Sequence, residues 1–195
     1  MISSQIVGTT EPPPYQHDDI VLVRRAQKDL TSFSELYQRY AQQVYRYLLV
    51  RVGNVDDAQD LTSQTFLVAM ESLHKFRGDG HFAAWLLGIA RHKTVDQYRR
   101  RKPETALETA VSLPHTDDTP DVVIDRQLEI ERVARKLQTI APDRAEALSL
   151  RLFAGLEVSE IARLMEKNEA AVRMLVFRGL RDLQAQLNGL REERA

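Results

Sequence analysis

The sequence predicts an all-α protein made of two small helical domains that a flexible acidic linker joins. Apolar residues recur at intervals of three and four along most of the chain, and no stretch shows the strict alternation of a strand. Prolines at 103, 114 and 120, with acidic and small residues between them, interrupt the helical pattern. The predicted parts are a disordered leader over 1–18, a first domain over 19–102, the linker over 103–121 and a second domain over 122–190.

Composition excludes several classes of protein. Apolar residues make up 43% of the 195 residues, which is enough for a globular core. No apolar run approaches the roughly 18–20 residues that cross a bilayer, so we expect no stable membrane insertion. The N-terminus lacks the pattern of a secretory signal, which favours a cytoplasmic protein. The chain has no cysteine, so disulfides, thiolate zinc sites and a cysteine nucleophile are excluded.

Two helices open the first domain. Asp29 or Thr31 is suited to cap the first helix, and Gly53 is placed to end it. The second helix begins near Val55, where carboxylates suit the positive end of the helix dipole. The apolar face of the first helix is predicted to contain Phe33, Leu36, Tyr37, Tyr40, Val44, Tyr47 and Leu48. The corresponding face of the second contains Ala58, Leu61, Thr65, Phe66, Ala69 and Leu73.

A turn over 76–80 precedes a third helix, whose inner face is predicted to contain Phe82, Trp85, Leu86 and Ile89. The spacing favours a core role for Trp85, and stacking on an unpaired base is the alternative. Residues 80–102 contain six basic residues against one aspartate, whereas residues 103–125 contain six carboxylates and no Lys or Arg. The basic segment predicts contact with a polyanion, although cations also suit a helix C-terminus.

The second domain carries the pattern of a helix-turn-helix. Helical periodicity resumes near Val122 and stops at Pro142, and further helices are predicted near 143–154, 158–165 and 169–188. The polar break over 166–168 suits a short turn between two steeply crossing helices. A helical hairpin with a solvated basic face is the alternative. The last helix is predicted to turn Val172, Val176, Gly179 and Leu183 inward.

The outward face of that last helix suits a major-groove reader, because guanidinium groups bind phosphate or guanine and apolar atoms contact thymine methyls. Its predicted DNA-contacting residues are Glu169, Ala170, Arg173, Met174, Phe177 and Arg178.

Three segments in this order resemble the conserved regions of extracytoplasmic-function sigma factors, the small two-domain members of the sigma-70 family. They are DAQDLTSQTFLVAMESLHKF, FRGDGHFAAWLLGIARHKTVDQYRRRK and APDRAEALSLRLFAGLEVSEIARLMEKNEAAVRMLVFRGLRDLQ. The resemblance covers about residues 29–188. It implies a factor that binds core RNA polymerase, directs it to a promoter and helps to open the DNA. The first domain resembles sigma region 2, which reads and melts the minus-10 element, and the second resembles region 4, which reads the minus-35 element.

The resemblance also implies roles for particular residues of the first domain. The loop over 76–81 would receive a flipped-out base, and the basic helix would lie against phosphates. The implied minus-10 residues are Arg77, Gly78, Asp79, His81, Arg91, His92, Lys93, Gln97 and Arg100. The implied polymerase-binding residues are Asp57, Gln59, Asp60 and Gln64, although carboxylates at a helix N-terminus would by themselves account for Asp57.

The family further implies an anti-sigma partner and a linker that threads a basic channel, for which a simple tether is the alternative. No cofactor or metal is expected. The five histidines show no metal-ligand spacing and no phosphate-binding or nucleophile motif occurs, so we do not expect an enzyme. The remaining alternative is a helix-turn-helix regulator that binds an operator as a dimer and never engages polymerase.

Overall fold

All regular structure in residues 16–78, 81–104 and 132–192, which the computed structural model describes, is helical. Short 3₁₀ turns at Leu30–Ser32 and Leu73–Lys75 follow the first and third helices. The helices are α1 (Gln16–Lys28), α2 (Phe33–Val52), α3 (Val55–Ser72), α4 (Phe82–Glu104), the described part of α5 (132–138), α6 (Pro142–Leu152), α7 (Val158–Leu164) and α8 (Glu169–Glu192).

Local capping sets the ends of the helices in the first domain. Gly53 adopts a φ of 71° and its N–H donates to the carbonyl of Leu49, which confirms it as the end of α2. Asp29 caps the 3₁₀ turn rather than α2 itself, since its carboxylate accepts from the N–H of Thr31 at 3.0 Å. Asn54 caps α3 by accepting from the N–H of Asp57 at 2.9 Å.

Helices α2, α3 and α4 pack together around the core of the first domain. Leu36, Tyr47 and Leu86 are fully buried, as the apolar spacing predicted. Tyr37 was wrongly predicted to be inward. It is 46% exposed and lies at the edge of the core, where its ring packs at 4.7 Å, edge to face, against Phe66.

Helix α1 was not expected from the sequence. It buries Leu22, Val23 and Ala26 against the rest of the domain. Asp19 is also buried, and it pairs with Arg39 at 2.7 Å and accepts from the hydroxyl of Tyr40. Burial, and then the hydrogen bond to Asp19, raise the pKa of Tyr40. The leader predicted over 1–18 lies outside the described residues up to position 15, and positions 16–18 belong to α1.

In the second domain, α8 packs mainly on α6 and α7. The helices α6 and α8 approach closely at Gly179, where an added Cβ would lie 3.0 Å from the carbonyl oxygen of Arg144. An ion pair of 2.7 Å joins Arg144 to Asp182 across the same contact. The turn between α7 and α8 contains Glu166 with a φ of 55°, a left-handed conformation that glycine usually supplies.

The two domains are in contact. Helix α2 packs against α6, and α4 packs against α7, so that apolar residues of both domains form one continuous core cluster. The contact is close at Gly88 of α4, where an added Cβ would lie 3.2 Å from the Cδ1 of Leu164. Helix α4 runs through Pro103 to Glu104, two residues past the predicted domain boundary. The rest of the predicted linker, and positions 122–131 of the second domain, lie outside the described residues.

Candidate nucleic-acid interface

The helix-turn-helix presents α8 as the sequence predicted. Helix α7 begins with a capping box, in which the N–H of Glu157 donates to the carboxylate of Glu160 at 2.7 Å. Val172 is fully buried and Leu183 nearly so, which fixes the inner face of α8. The outer face is exposed at each of its predicted positions, namely Glu169, Ala170, Arg173, Met174, Phe177 and Arg178.

This outer face mixes charge with large apolar side chains. Phe177 is 63% exposed and Met174 is 48% exposed, although burial would be favourable for both. Arg173 pairs with Glu169 at 2.6 Å, one turn away on the same helix. An ion pair this exposed contributes little to stability, so the guanidinium remains available for another acceptor. Exposed guanidinium and apolar groups on one helix suit the donor, acceptor and methyl pattern of the major groove.

The C-terminal half of α4 presents a second polar surface. His92 is exposed, with its Nδ1 2.7 Å from the carbonyl of Gly88, and Tyr98 is 72% exposed. Arg91 is half-buried, and its Nε lies 3.6 Å from Glu146 of the second domain. Lys93 and Gln97 are also half-buried, and the side chain of Arg100 lies outside the described residues. Arg91 therefore faces a carboxylate of its own chain.

The loop before α4 lies beside an aromatic cluster. The ring of Trp85 packs at 5.2 Å from that of Phe76 and at 5.4 Å from that of Phe82. Trp85 is half-buried against the core, so its predicted inward orientation is confirmed, although it is not enclosed.

Of the predicted minus-10 residues in this loop, Arg77 is exposed and Gly78 adopts a φ of 79°. The Nε2 of His81 lies 3.9 Å from Glu160. Asp79 lies outside the described residues.

The predicted polymerase-binding residues occupy the first half of α3. Gln59 and Asp60 are exposed, and Gln64 donates from its Nε2 to Asp60 at 2.7 Å. Asp57 is half-buried at the first turn. The structure thus brings the four side chains, Asp57, Gln59, Asp60 and Gln64, onto adjacent turns of one helix.

Comparison with known families identifies the family of the chain. Sigma-70 region 2 matches residues 36–104, and sigma-70 region 4 matches residues 130–183. The chain is also 31% identical over 176 residues to the ECF RNA polymerase sigma-E factor of Salmonella typhimurium, covering 84% of this chain and 91% of that protein. The chain belongs to the extracytoplasmic-function sigma factors. This sigma factor is a transcription initiation factor that directs RNA polymerase to promoters, and its family is not a family of enzymes.

Other relatives agree. The sigma factor is 35% identical over 166 residues to the ECF sigma factor BldN of Streptomyces coelicolor, an alignment that covers 83% of this chain and 63% of BldN. It is 29% identical over 169 residues to the sigma factor YlaC of Bacillus subtilis, covering 85% of this chain and 98% of YlaC. The family membership favours the predicted initiation factor over the operator-binding alternative.

Two solved structures share the fold. CnrH, in complex with the cytosolic domain of CnrY, superposes with a TM-score of 0.68 at 24% identity, covering 87% of this chain and 96% of CnrH. The sigma factor RpoE of Bartonella quintana, in complex with the anti-sigma factor NepR, superposes with a TM-score of 0.63 at 20% identity, covering 80% and 96% of the two chains. In the part of the sigma factor that the structure describes, no helix is long and apolar enough to cross a membrane.

Sequence reasoning missed a contact between the domains, in which Tyr47, Arg51 and Glu146 meet. Tyr47 donates from its hydroxyl to Glu146 at 2.8 Å, and Arg51 pairs with the same carboxylate at 3.0 Å. One signal was present in the sequence. Glu146 stands among the apolar residues Ala145, Ala147 and Leu148, and a carboxylate on such a segment is almost never buried unless it is paired.

Proposed function

We propose that the sigma factor divides promoter recognition between its two candidate DNA surfaces. The outer face of α8 reads the minus-35 element in the major groove, while the loop over 76–81 and the basic half of α4 hold the minus-10 element. One observation carries this proposal: α8 buries one face in the core and leaves the other exposed at every predicted position, with arginine and aromatic side chains.

The two surfaces would act by different chemistry. Arg173 and Arg178 are suited to base edges or phosphates, because a guanidinium donates in a fixed fork. On α4, Arg91 and Lys93 would bind phosphates, which position the DNA without reading its sequence. The loop around Gly78 would read bases, since a glycine there allows close approach of backbone to an unstacked base.

The α3 cluster of Asp57, Gln59, Asp60 and Gln64 is the proposed polymerase-binding surface. The exposed Asp60 is the residue best placed to test it, because its carboxylate contacts only its own helix neighbour Gln64 among the hydrogen bonds described. We expect Asp60→Lys to weaken binding to core RNA polymerase by about tenfold or more, since a reversed charge at a complementary interface repels its partner.

The measurement is a titration of core RNA polymerase against the labelled full-length chain. Glu71→Lys is the matched control, because Glu71 is exposed on the same helix, outside the cluster, and undergoes the same change of charge. Equal affinity for both variants would remove the α3 cluster from the polymerase interface.

The overall proposal is tested by gel filtration with core polymerase, followed by run-off transcription from duplexes that the holoenzyme selects out of a randomised pool. A one-to-one complex that initiates at the selected sequences is the expected result. Binding of the free chain to DNA as a dimer, without binding to polymerase, would contradict it.

Three further roles follow from this function. The factor would act in the cytoplasm, where polymerase and DNA are. An anti-sigma factor would restrain it, and the complexes of CnrH with CnrY and of RpoE with NepR support that expectation. The acidic segment after α4 would thread a basic channel of the polymerase between the two promoter-binding domains.

A further inference from the structure

Glu146 lies at the centre of the contact between the two domains. It belongs to α6 of the second domain, and its side chain is only 9% exposed. Its carboxylate accepts from the hydroxyl of Tyr47 at 2.8 Å and lies 3.0 Å from Arg51 and 3.6 Å from Arg91. These three partners all belong to the first domain. The charge of Glu146 is therefore compensated by groups from across the contact.

A buried carboxylate depends strongly on such partners. An ionised group that leaves water must be paired and hydrogen-bonded, and removal of the partners leaves a costly unpaired charge. When the domains separate, however, water reaches Glu146 and solvates it. Glu146 is thus paired in the closed chain and hydrated in the open chain. An apolar residue at this position would be exposed to water unfavourably when the domains separate.

One of the partners has a second proposed role. Arg91 is a phosphate-binding residue in the proposed function, yet in the closed chain its guanidinium faces Glu146. A carboxylate oxygen and a phosphate oxygen are alternative acceptors for the same guanidinium. His81, from the proposed minus-10 loop, similarly lies 3.9 Å from Glu160 of α7. Closure and DNA binding therefore compete for residues of the first domain.

The geometry of promoters requires the domains to separate. Elements named for positions 10 and 35 lie about 25 base pairs apart, or about 85 Å along B-DNA. A compact chain of 195 residues has a radius of gyration of only about 16 Å, so two domains in direct contact do not span that distance. The 27 residues from 105 to 131 connect the domains and, fully extended, would reach at most about 97 Å. The chain is thus long enough to bind both elements, but only when the contact between α2 and α6 is broken.

We propose that Glu146 is an intramolecular latch that holds the sigma factor closed by occupying Arg91 in place of a DNA phosphate, with Tyr47 and Arg51 as its other anchors. The role of Arg91 rests on the proposed function, whereas the closure itself does not. Core polymerase and promoter DNA release the latch by binding the open chain, because a ligand that prefers one state shifts the population toward it.

The absence of native cysteine makes closure measurable. Glu71→Cys on α3 and Gln184→Cys on α8 place two dyes at exposed positions, one in each domain. We expect Glu146→Gln, which keeps the shape of the side chain and removes its charge, to raise the open fraction of the free chain about tenfold, equal to about 1.4 kcal/mol. Energy transfer between the dyes should fall accordingly.

Glu157→Gln is the matched control. Glu157 loses the same charge, but it pairs with Arg151 at 3.0 Å within its own domain, so energy transfer should stay at the parent value. The apparent affinity for core polymerase provides a second readout, since it should tighten by the factor by which the open state becomes more populated. That gain should occur with Glu146→Gln and be absent with Glu157→Gln.

Energy transfer in Glu146→Gln equal to that of the parent would overturn the proposal. If circular dichroism shows that this variant is unfolded, Arg51→Gln tests the same latch from the first domain and should also open the chain; unchanged energy transfer in that folded variant would be equally decisive. A failure of the proposed function would give a different result from a failure of the latch. In that case neither the parent nor any variant binds core polymerase, while the difference in energy transfer between Glu146→Gln and Glu157→Gln remains.

Discussion

The two candidate DNA-binding helices, α4 and α8, differ in how much of their surface the rest of the chain covers. The outer face of α8 is exposed at each predicted position, and the buried residues Val172 and Leu183 lie on its inner face. The apolar half of α4, in contrast, packs against its own domain on one side and against α7 of the second domain on another. Its half-buried Arg91 faces Glu146 of the second domain.

The contacts that a helix makes, and not only the periodicity of its apolar residues, therefore determine which of its faces is exposed. The apolar spacing of α8 predicts a single buried face, and the structure buries a single face of this helix. In α4, Leu87 and Ala90 are fully buried as well as Phe82 and Leu86, so apolar contacts surround much of the helix. When a helix is buried on two sides, the spacing of its apolar residues does not predict which face is left to bind a ligand.

The largest expected effect tests the structural role of α4. We expect Trp85→Ala to lower the free energy of unfolding by about 2–3 kcal/mol, less than the roughly 3–5 kcal/mol of a fully buried aromatic, because Trp85 is half-buried between Phe76 and Phe82. Urea denaturation followed by circular dichroism measures it. Phe177→Ala on α8 is the control, and at 63% exposure it should change stability by under about 0.5 kcal/mol.

Equal stability of these two variants would contradict the claim that Trp85 of α4 is part of the core and Phe177 of α8 is not. It would also favour the alternative in which Trp85 stacks on an unpaired base of the opened promoter.

The next effect concerns binding on α8. We expect Arg173→Ala and Arg178→Ala each to weaken promoter binding by the holoenzyme by about 1–3 kcal/mol where the side chain reads a base, or to reduce the salt slope by about one where it holds a phosphate. Salt-titrated binding to a selected promoter duplex separates the two cases. Gln184→Ala, an exposed change farther along α8, is the control.

Both arginines are exposed in the closed chain, so their loss should leave the energy transfer between the domains unchanged. Arg91→Ala should instead alter promoter binding and closure together. If Arg173→Ala or Arg178→Ala also opens the chain, the outer face of α8 is not independent of the contact between the domains.

The smallest expected effect concerns the turn that precedes α8. Because Glu166 adopts a φ of 55°, we expect Glu166→Gly to raise the free energy of unfolding by about 0.5–1 kcal/mol, since glycine has no Cβ to strain in that conformation. Thermal melting of the full chain measures the gain. Glu166→Ala removes the charge but keeps the Cβ, and it should bring no gain; an equal gain would assign the effect to charge instead of backbone.

Local signals account for the parts of the fold that the sequence predicted. The end of α2 at Gly53 and the turn at Glu166 depend on residues close together in the chain, and their backbone angles confirm both. Val172 and Leu183 follow from helical spacing alone. For the same reason, the exposed face of α8 was predictable residue by residue.

Nonlocal contacts account for what was missed. Helix α1 buries Leu22, Val23 and Ala26, a set too short to stand out beside a proline-rich leader. Glu146 meets Tyr47 and Arg51 from almost a hundred residues away, and no local pattern encodes that meeting. The roles of the DNA-binding and polymerase-binding residues stay predictions, because they depend on partners outside the chain.

Tyr47 gives the molecule an intrinsic optical reporter of its own opening. Its phenol is fully buried in the contact, and burial, then the negative charge of Glu146, raise its pKa well above the ordinary value of 10.0. The raised pKa means that the contact keeps its full stability below the ordinary pKa and loses stability as the pH rises above it. We therefore expect a jump to alkaline pH to ionise Tyr47 only as fast as the domains part, because its phenol is buried in the contact. The ultraviolet absorbance of tyrosinate would time that motion without any dye, and Tyr47→Phe would erase the signal while the buried Tyr40 remained.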